Sequence, residues 1–333
     1  MAISTKKEVR DNVLSTTLQD ASQIGDLVYD FINLTMHEIE NPAWAFSPRR
    51  ELNHRWSWLK RKTTFDTVAS TEEYVLDRDV SHIAIVTQRT SPSRLTRITD
   101  EDLYFHDPDP SDSSGNPEFY RVWELSGVAT KLAVADTIDV VSSSASDASD
   151  PDLTVTVWGF VGGILQSETY TLNGTTTVAG SSTFQARDVF VSKSKDTAGT
   201  ITVKENSGGT TLVTLGKEER APLFKVLSLY PIPSSAMTVY VQYYSHLKEL
   251  VNPGDVPQFS QNWHYVVRLG TLAKTYQHLG KDTDFAVTQG LYSSAVRAMV
   301  ESDRGVSDLK DHLRRHKVDM HSSLIRRSTS DVA

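Results

Sequence analysis

Two histidines, His312 and His316, stand four residues apart, a spacing that puts both rings on one face of a helix and within reach of a shared metal ion. They lie among Arg314, Arg315 and Lys317, so a solvated basic face is the simpler reading. A second cluster, Asp107-Pro108-Asp109-Pro110-Ser111-Asp112, alternates carboxylates as calcium loops do. Its prolines, the missing turn glycine and the missing distal glutamate argue against an EF-hand and leave an acidic turn. Trp44, Trp56 and Trp58 could stack sugars or bases, but packing against the core or a neighbouring subunit accounts for them more simply. Tyr240, Tyr243 and Tyr244 are read in the same way.

Catalytic patterns do not emerge. The chain has no Gly-x-Ser-x-Gly elbow, phosphate-cradling glycine loop, His-Glu-x-x-His or dinucleotide fingerprint. It also has no cysteine, which removes disulfides, thiolate zinc sites and cysteine nucleophiles. No catalytic, cofactor-binding or metal residues are assigned, no cofactor is expected, and an enzyme is not expected.

Charge is more informative than chemistry. The net charge of the 333 residues is −8, but Lys310 to Ala333 holds six Lys/Arg against three Asp, so a +3 tail follows a body at −11. An acidic body repels nucleic acid, whereas the tail suits an acidic groove on a protein partner or a phosphate backbone. No apolar run approaches the ~18 residues of a membrane span, and Met1 to Arg10 lacks the apolar core of a signal peptide, so a cytosol-like location is expected.

The elements are organised around Gln261 to Arg315, which reads as two helices joined by Gly280-Lys281-Asp282. Glycine ends the first helix and Asp282 caps the second, folding it back antiparallel. Trp263, Val266, Val267, Gly270 and Ala273 mark the packing face of the first; Val287, Leu291, Ala295 and Ala298 mark that of the second. Small residues, Gly270, Ala273, Gly290 and Ser294, are expected to let the backbones approach closely. Near the N-terminus, Asp20 with Gln23 resembles a capping box ahead of the apolar stripe Ile24, Leu27, Val28, Phe31 and Ile32, ended by Asn41-Pro42. A shorter helix is expected over Lys6 to Leu18.

Between these lie β-type runs: Thr63 to Val68, Tyr74 to Leu76, Ile83 to Thr87, Leu95 to Ile98 and Phe119 to Leu125, with a short helix capped by Thr99. From Lys131 to Leu215 the chain turns Ser/Thr/Gly-rich. Six or seven short strands, with Gly162-Gly163 and Gly208-Gly209 at turns, suggest an immunoglobulin-like β-sandwich with Trp158 as core anchor. Pairing Phe119 to Trp123 with Phe224 to Leu229 makes that sandwich an insertion. The fold class expected is α+β: a helical bundle, a β-barrel-like domain and an inserted immunoglobulin-like sandwich. The boundaries are 1–50 for N-terminal helices, 51–130 and 216–256 for the β domain, 131–215 for the insertion, 257–309 for the helical hairpin and 310–333 for the tail.

This order of parts, with Tyr74-Val75-Leu76, Ile83-Ala84-Ile85-Val86, Ser228-Leu229-Tyr230-Pro231-Ile232-Pro233 and Val239-Tyr240-Val241-Gln242-Tyr243-Tyr244, resembles the head-to-tail adaptor (connector) proteins of short-tailed phages, the tail tubular protein A class. The resemblance covers Asp20 to Asp303 without the middle block, and the block is a departure from the family. It implies a structural virion protein at the neck, assembled in the host cytoplasm. Copies form a dodecameric ring between the portal and the tail nozzle or tube protein, with tail fibres as a further partner. DNA passes through without specific binding, and no membrane is involved. The C-terminal segment would dock on the portal through Lys310, Arg314, Arg315, Lys317, Leu324, Ile325, Arg326 and Arg327. A carbohydrate-binding or fibre-anchoring virion component, acting through the sandwich and Trp158, is the alternative from another class.

Overall fold

The computed structural model describes residues 5–19, 21–42, 54–89, 94–148, 150–187, 189–207 and 209–304. The protein is mixed α+β, as expected, and divides into two compact units: Met1–Arg61 with Tyr244–Ala333, and Lys62–Tyr243. Its helices are α1 (Lys6–Thr17), α2 (Ala21–Glu40), α3 (Asp100–His106), α4 (His264–His278) and α5, described over 282–304.

The first unit is helical. Thr5 and Glu8 form a reciprocal capping box at the start of α1, and Leu18 closes it in the left-handed region at φ 57°. The sequence signal for a box at Asp20 points to a residue outside those described. In α2, Val28, Ile32, Met36 and Ile39 recur at helical spacing and are buried, and the helix stops ahead of Asn41-Pro42. After a 3-10 turn at Gln261–Trp263, α4 buries Val266, Val267, Gly270 and Ala273, while Trp263 packs half-buried against the same core. A Schellman pattern ends it: Gly280 takes φ 66°, its N–H reaches Gln277 O at 3.2 Å, and Lys281 N–H reaches Tyr276 O at 3.0 Å. Phe285 N–H then donates to Lys281 O, so Lys281 stands at the cap of α5. Asp282, expected as the cap, opens the first turn, where its charge still suits the helix dipole.

The packing face of α5 corrects the expectation. Thr288, Tyr292, Ala295, Val296, Met299 and Val300 are buried, whereas Val287 is 62% and Leu291 56% exposed and Ala298 is exposed. Only Ala295 of the four expected positions faces inward. Two helical lines one residue apart compete here, and the winner carries the largest side chain. Tyr292 seats against Gly270, where an added Cβ would lie 2.8 Å from its ring and 2.4 Å from Thr35 of α2. Gly290 has nothing within 4 Å of such a Cβ, so the close approach expected of it is absent.

The second unit is β-rich. One sheet has the order β1 (Lys60–Asp66), β16 (Thr238–Ser245), β3 (Val80–Gln88); a second has β2 (Glu73–Val75), β14 (Phe224–Tyr230), β6 (Phe119–Ser126), β4 (Thr96–Arg97). A small parallel pair, β5 (Ser114–Gly115) with β15 (Ile232–Pro233), forms its own two-stranded sheet. Val80, Ile83, Val86, Leu227, Leu229, Val239 and Val241 form a core common to both larger sheets. No closed barrel forms among the described strands, which corrects the barrel-like expectation: β2 and β4 are edges only three and two residues long, too short to carry a sheet round into closure. Thr99 caps α3 by accepting from Asp102 N–H, as read from the sequence.

The middle strands form two antiparallel sheets around one core. One is β10 (Val178–Ala179), β7 (Ile138–Ser142), β12 (Ile201–Glu205), β13 (Thr211–Leu215); the other is β11 (Phe190–Lys193), β8 (Thr154–Val161), β9 (Ile164–Thr171). Gly162 and Gly163, at φ 59° and 86°, make the two-residue turn between β8 and β9. The chain leaves at Ser126 and returns at Phe224, and those residues are paired across β6 and β14. Phe184, wholly buried against Gly159, anchors this core. Trp158, expected in that role, is 45% exposed: Val155, Val157 and Gly159 take the inward positions of β8, and alternation turns Trp158 outward.

The two glycines of α4 and α5 should respond oppositely to a methyl group. Gly270→Ala should destabilise the protein, because overpacking of ~1–3 kcal/mol exceeds the ~1 kcal/mol gain in helix propensity. Gly290→Ala meets no atoms and should stabilise by ~0.5–1 kcal/mol. Urea denaturation of both variants checks this; equal shifts of the same sign would contradict the packing described.

Candidate interaction surfaces

The expected portal-binding residues Lys310, Arg314, Arg315, Lys317, Leu324, Ile325, Arg326 and Arg327 lie outside the described residues, as do His312, His316 and Trp44. The structure describes α5 as far as residue 304. In the last described turn of α5, Asp303 accepts from Ser57 N–H at 2.9 Å and from Ser57 Oγ at 2.6 Å, and pairs with His54 Nε2 at 2.7 Å. These are the three residue types of a hydrolytic triad in the wrong order. The serine hydroxyl donates to the carboxylate and not to the imidazole, so the array has the form of a clamp and lacks the serine-to-base bond of an activated nucleophile.

Behind the clamp, His54 meets the edge of Trp56 at 4.8 Å, Trp56 lies 5.5 Å from Trp58, and Trp58 lies 5.5 Å from Phe259. Trp56 is 1% exposed and donates its indole N–H to Ile39 O at 2.7 Å. These two tryptophans of the aromatic linker are therefore core. Tyr243, also buried, bonds Asp79 at 3.0 Å, and Tyr244 packs on the helical core. The acidic turn is tied internally: Tyr230 donates to Asp107 Oδ2 at 2.6 Å and Asp109 N–H to Asp107 Oδ1 at 3.1 Å, and Asp107 also receives Ser113. Ser113 first and then Tyr230 hold its carboxyl below the ordinary aspartate range.

A second polar constellation was not legible as a motif. Lys274 of α4 donates to Glu38 Oε2 of α2 at 2.6 Å, and the Tyr292 hydroxyl reaches the same oxygen at 3.2 Å. Burial pushes the Lys274 ammonium down, opposed by Glu38; burial, reinforced by Glu38, pushes the Tyr292 hydroxyl well up. The only signal in the sequence was a charge beside an apolar stripe on each helix. Together with Gly270, this cluster sets the rotation of α5.

That rotation leaves an outward line on α5: Val287, Leu291, Ser294 and Ala298, spaced four, three and four residues apart. Such spacing is that of a coiled-coil seam, and it lies ~130° around the helix from Tyr292. Ser294 turns its hydroxyl back to Gly290 O at 2.9 Å, which leaves the line low in polarity. No protein-family model matches the chain, and no curated protein is significantly similar to it.

Removing one member of the Lys274–Glu38 pair should cost more than removing both. Lys274→Met should destabilise by ~3 kcal/mol, because Glu38 loses its charged partner. The double variant Glu38→Gln, Lys274→Met should recover most of that loss. A double-mutant cycle by denaturation measures the coupling; additive losses would show that the pair does not interact as described.

Proposed function

We propose that the chain is a structural virion protein, a head-to-tail adaptor that forms a ring between portal and tail and lines the DNA passage. The observation that carries the reading is the seam on α5: Val287 at 62% and Leu291 at 56% exposure form an apolar line outside the core of the described residues. Water-exposed aliphatic side chains in coiled-coil register are best explained by a helix of a second copy seated on them. A repeated contact of that kind joins one surface to a different surface of the next copy, and closes into a ring when the rotation permits. We take the ring to be dodecameric, as the resemblance to the connector family implies.

In this account α1, α2, α4 and α5 act as a bundle, and the middle strands as an immunoglobulin-like insertion whose ends sit on one paired strand end. The body at −11 suits a DNA conduit, because a wall that attracted phosphates would retard passage. The +3 segment from Lys310 supplies an electrostatic address on the portal, with Leu324 and Ile325 as small anchors. The tail protein and fibres complete the partners, at the neck of the virion, with no enzymatic role, cofactor or membrane.

Val287→Asp with Leu291→Asp should leave the monomer folded, by circular dichroism, while light scattering shows assembly weakened at least tenfold. Assembly unchanged by both charges would sink the ring contact. Separately, deleting residues 311–333 should leave a soluble folded protein that no longer joins portal particles. Unchanged affinity for portals would assign docking to the helices instead.

A further inference from the structure

The outer face of the β11-β8-β9 sheet is chemically unlike a solvated sheet face. Alternation along β8 sends Val155 and Val157 inward and Thr156, Trp158 and Phe160 outward. The register sets their neighbours beside them. Phe190 and Ser167 flank Trp158, Ser192 and Thr169 flank Thr156, and Leu165 lies opposite Phe160. Three rows result: hydroxyls (Ser192, Thr156, Thr169), aromatics (Phe190, Trp158, ending at Ser167) and an apolar pair (Phe160, Leu165). Trp158 is 45%, Phe190 43% and Leu165 58% exposed, so the strip is open to solvent. Among the described residues none of these row positions is a carboxylate, and Arg187 places its guanidinium 5.2 Å above the Phe160 ring.

We propose that this face is a binding site for a neutral oligosaccharide. A pyranose presents an apolar C–H face and an equatorial girdle of hydroxyls, and each finds its counterpart here. The C–H face lies on the Trp158 and Phe190 rings, which stand on adjacent strands ~4.8 Å apart. The girdle reaches the hydroxyl row, which is two residues, or ~6.6 Å, along the strands from the aromatic row. Thr156 Oγ1 and Thr169 Oγ1, 3.2 Å apart, can each donate or accept, as a ligand made of hydroxyls requires. Arg187 adds donors at the rim without demanding a charged ligand. Phe190, Trp158, Phe160 and Leu165 alone would also suit a protein partner; the hydroxyl row bordering them is what favours a sugar. The site does not depend on ring formation, so either reading can fail alone.

The test uses the full chain on immobilised neutral hexasaccharides of β1,4-glucose, α1,4-glucose and β1,4-N-acetylglucosamine. Saturable binding to at least one is expected, reduced at least tenfold by Trp158→Ala and by Phe190→Ala. Thr156→Val, which removes only the hydroxyl, should weaken it severalfold, and Val287→Asp should leave it intact. Both aromatic side chains are substantially exposed, so these variants should keep the wild-type melting temperature. Absence of binding across the panel by the folded chain would overturn the proposal. So would binding indifferent to Trp158, or a change in oligomer size caused by Trp158→Ala, which would make the face a protein contact.

Discussion

The helical unit depends on a missing side chain. At Gly270 any Cβ would collide with Thr35 of α2 and Tyr292 of α5, so the absence of one lets these three helices meet at a single point. Tyr292 fills the space with its ring and turns its hydroxyl to Glu38, which also receives Lys274. Close packing and a charge-assisted bond thus act on the same helix at the same place. A helix held so firmly has no freedom to choose its buried side.

From that constraint the exposed surface follows. With Tyr292, Val296 and Met299 inward, Val287 and Leu291 have to point away, although they are as apolar as the residues that replace them in the core. Burying a Leu or Val side chain is worth ~1.5–3 kcal/mol, so leaving both exposed on one line forgoes a stabilisation that a neighbouring copy can supply. The clamp of His54 and Ser57 on Asp303 holds the same helix, one residue before the described chain stops.

Much of this was legible in the sequence where one physical rule acted alone. Gly162-Gly163 marked a hairpin turn, Thr99 three residues ahead of Asp102 marked a cap, and the β6 to β14 pairing followed from two matched apolar runs bracketing a change of composition. The readings that failed were those in which two patterns competed. On α5 the lines through 287 and 288 differ by one residue, and the choice rests on Gly270 and Thr35, which lie on other helices. Trp158 has the size of a core anchor, but the parity of β8 decides its side, and Phe184, outside any strand, takes the core position. The clamp and the Lys274–Glu38 pair join residues more than 230 positions apart, a separation at which no local pattern exists.

The central claim is that the seam on α5 is covered by another copy. Because the chain contains no cysteine, Leu291→Cys places a single thiol on that seam, and Ser167→Cys provides a reference thiol on an exposed strand of the middle block. The direct measurement is the maleimide labelling rate of each, below and above the concentration at which particles assemble. The account predicts that labelling at 291 slows at least tenfold on assembly while labelling at 167 does not change. Equal labelling of 291 in free and assembled protein would contradict it.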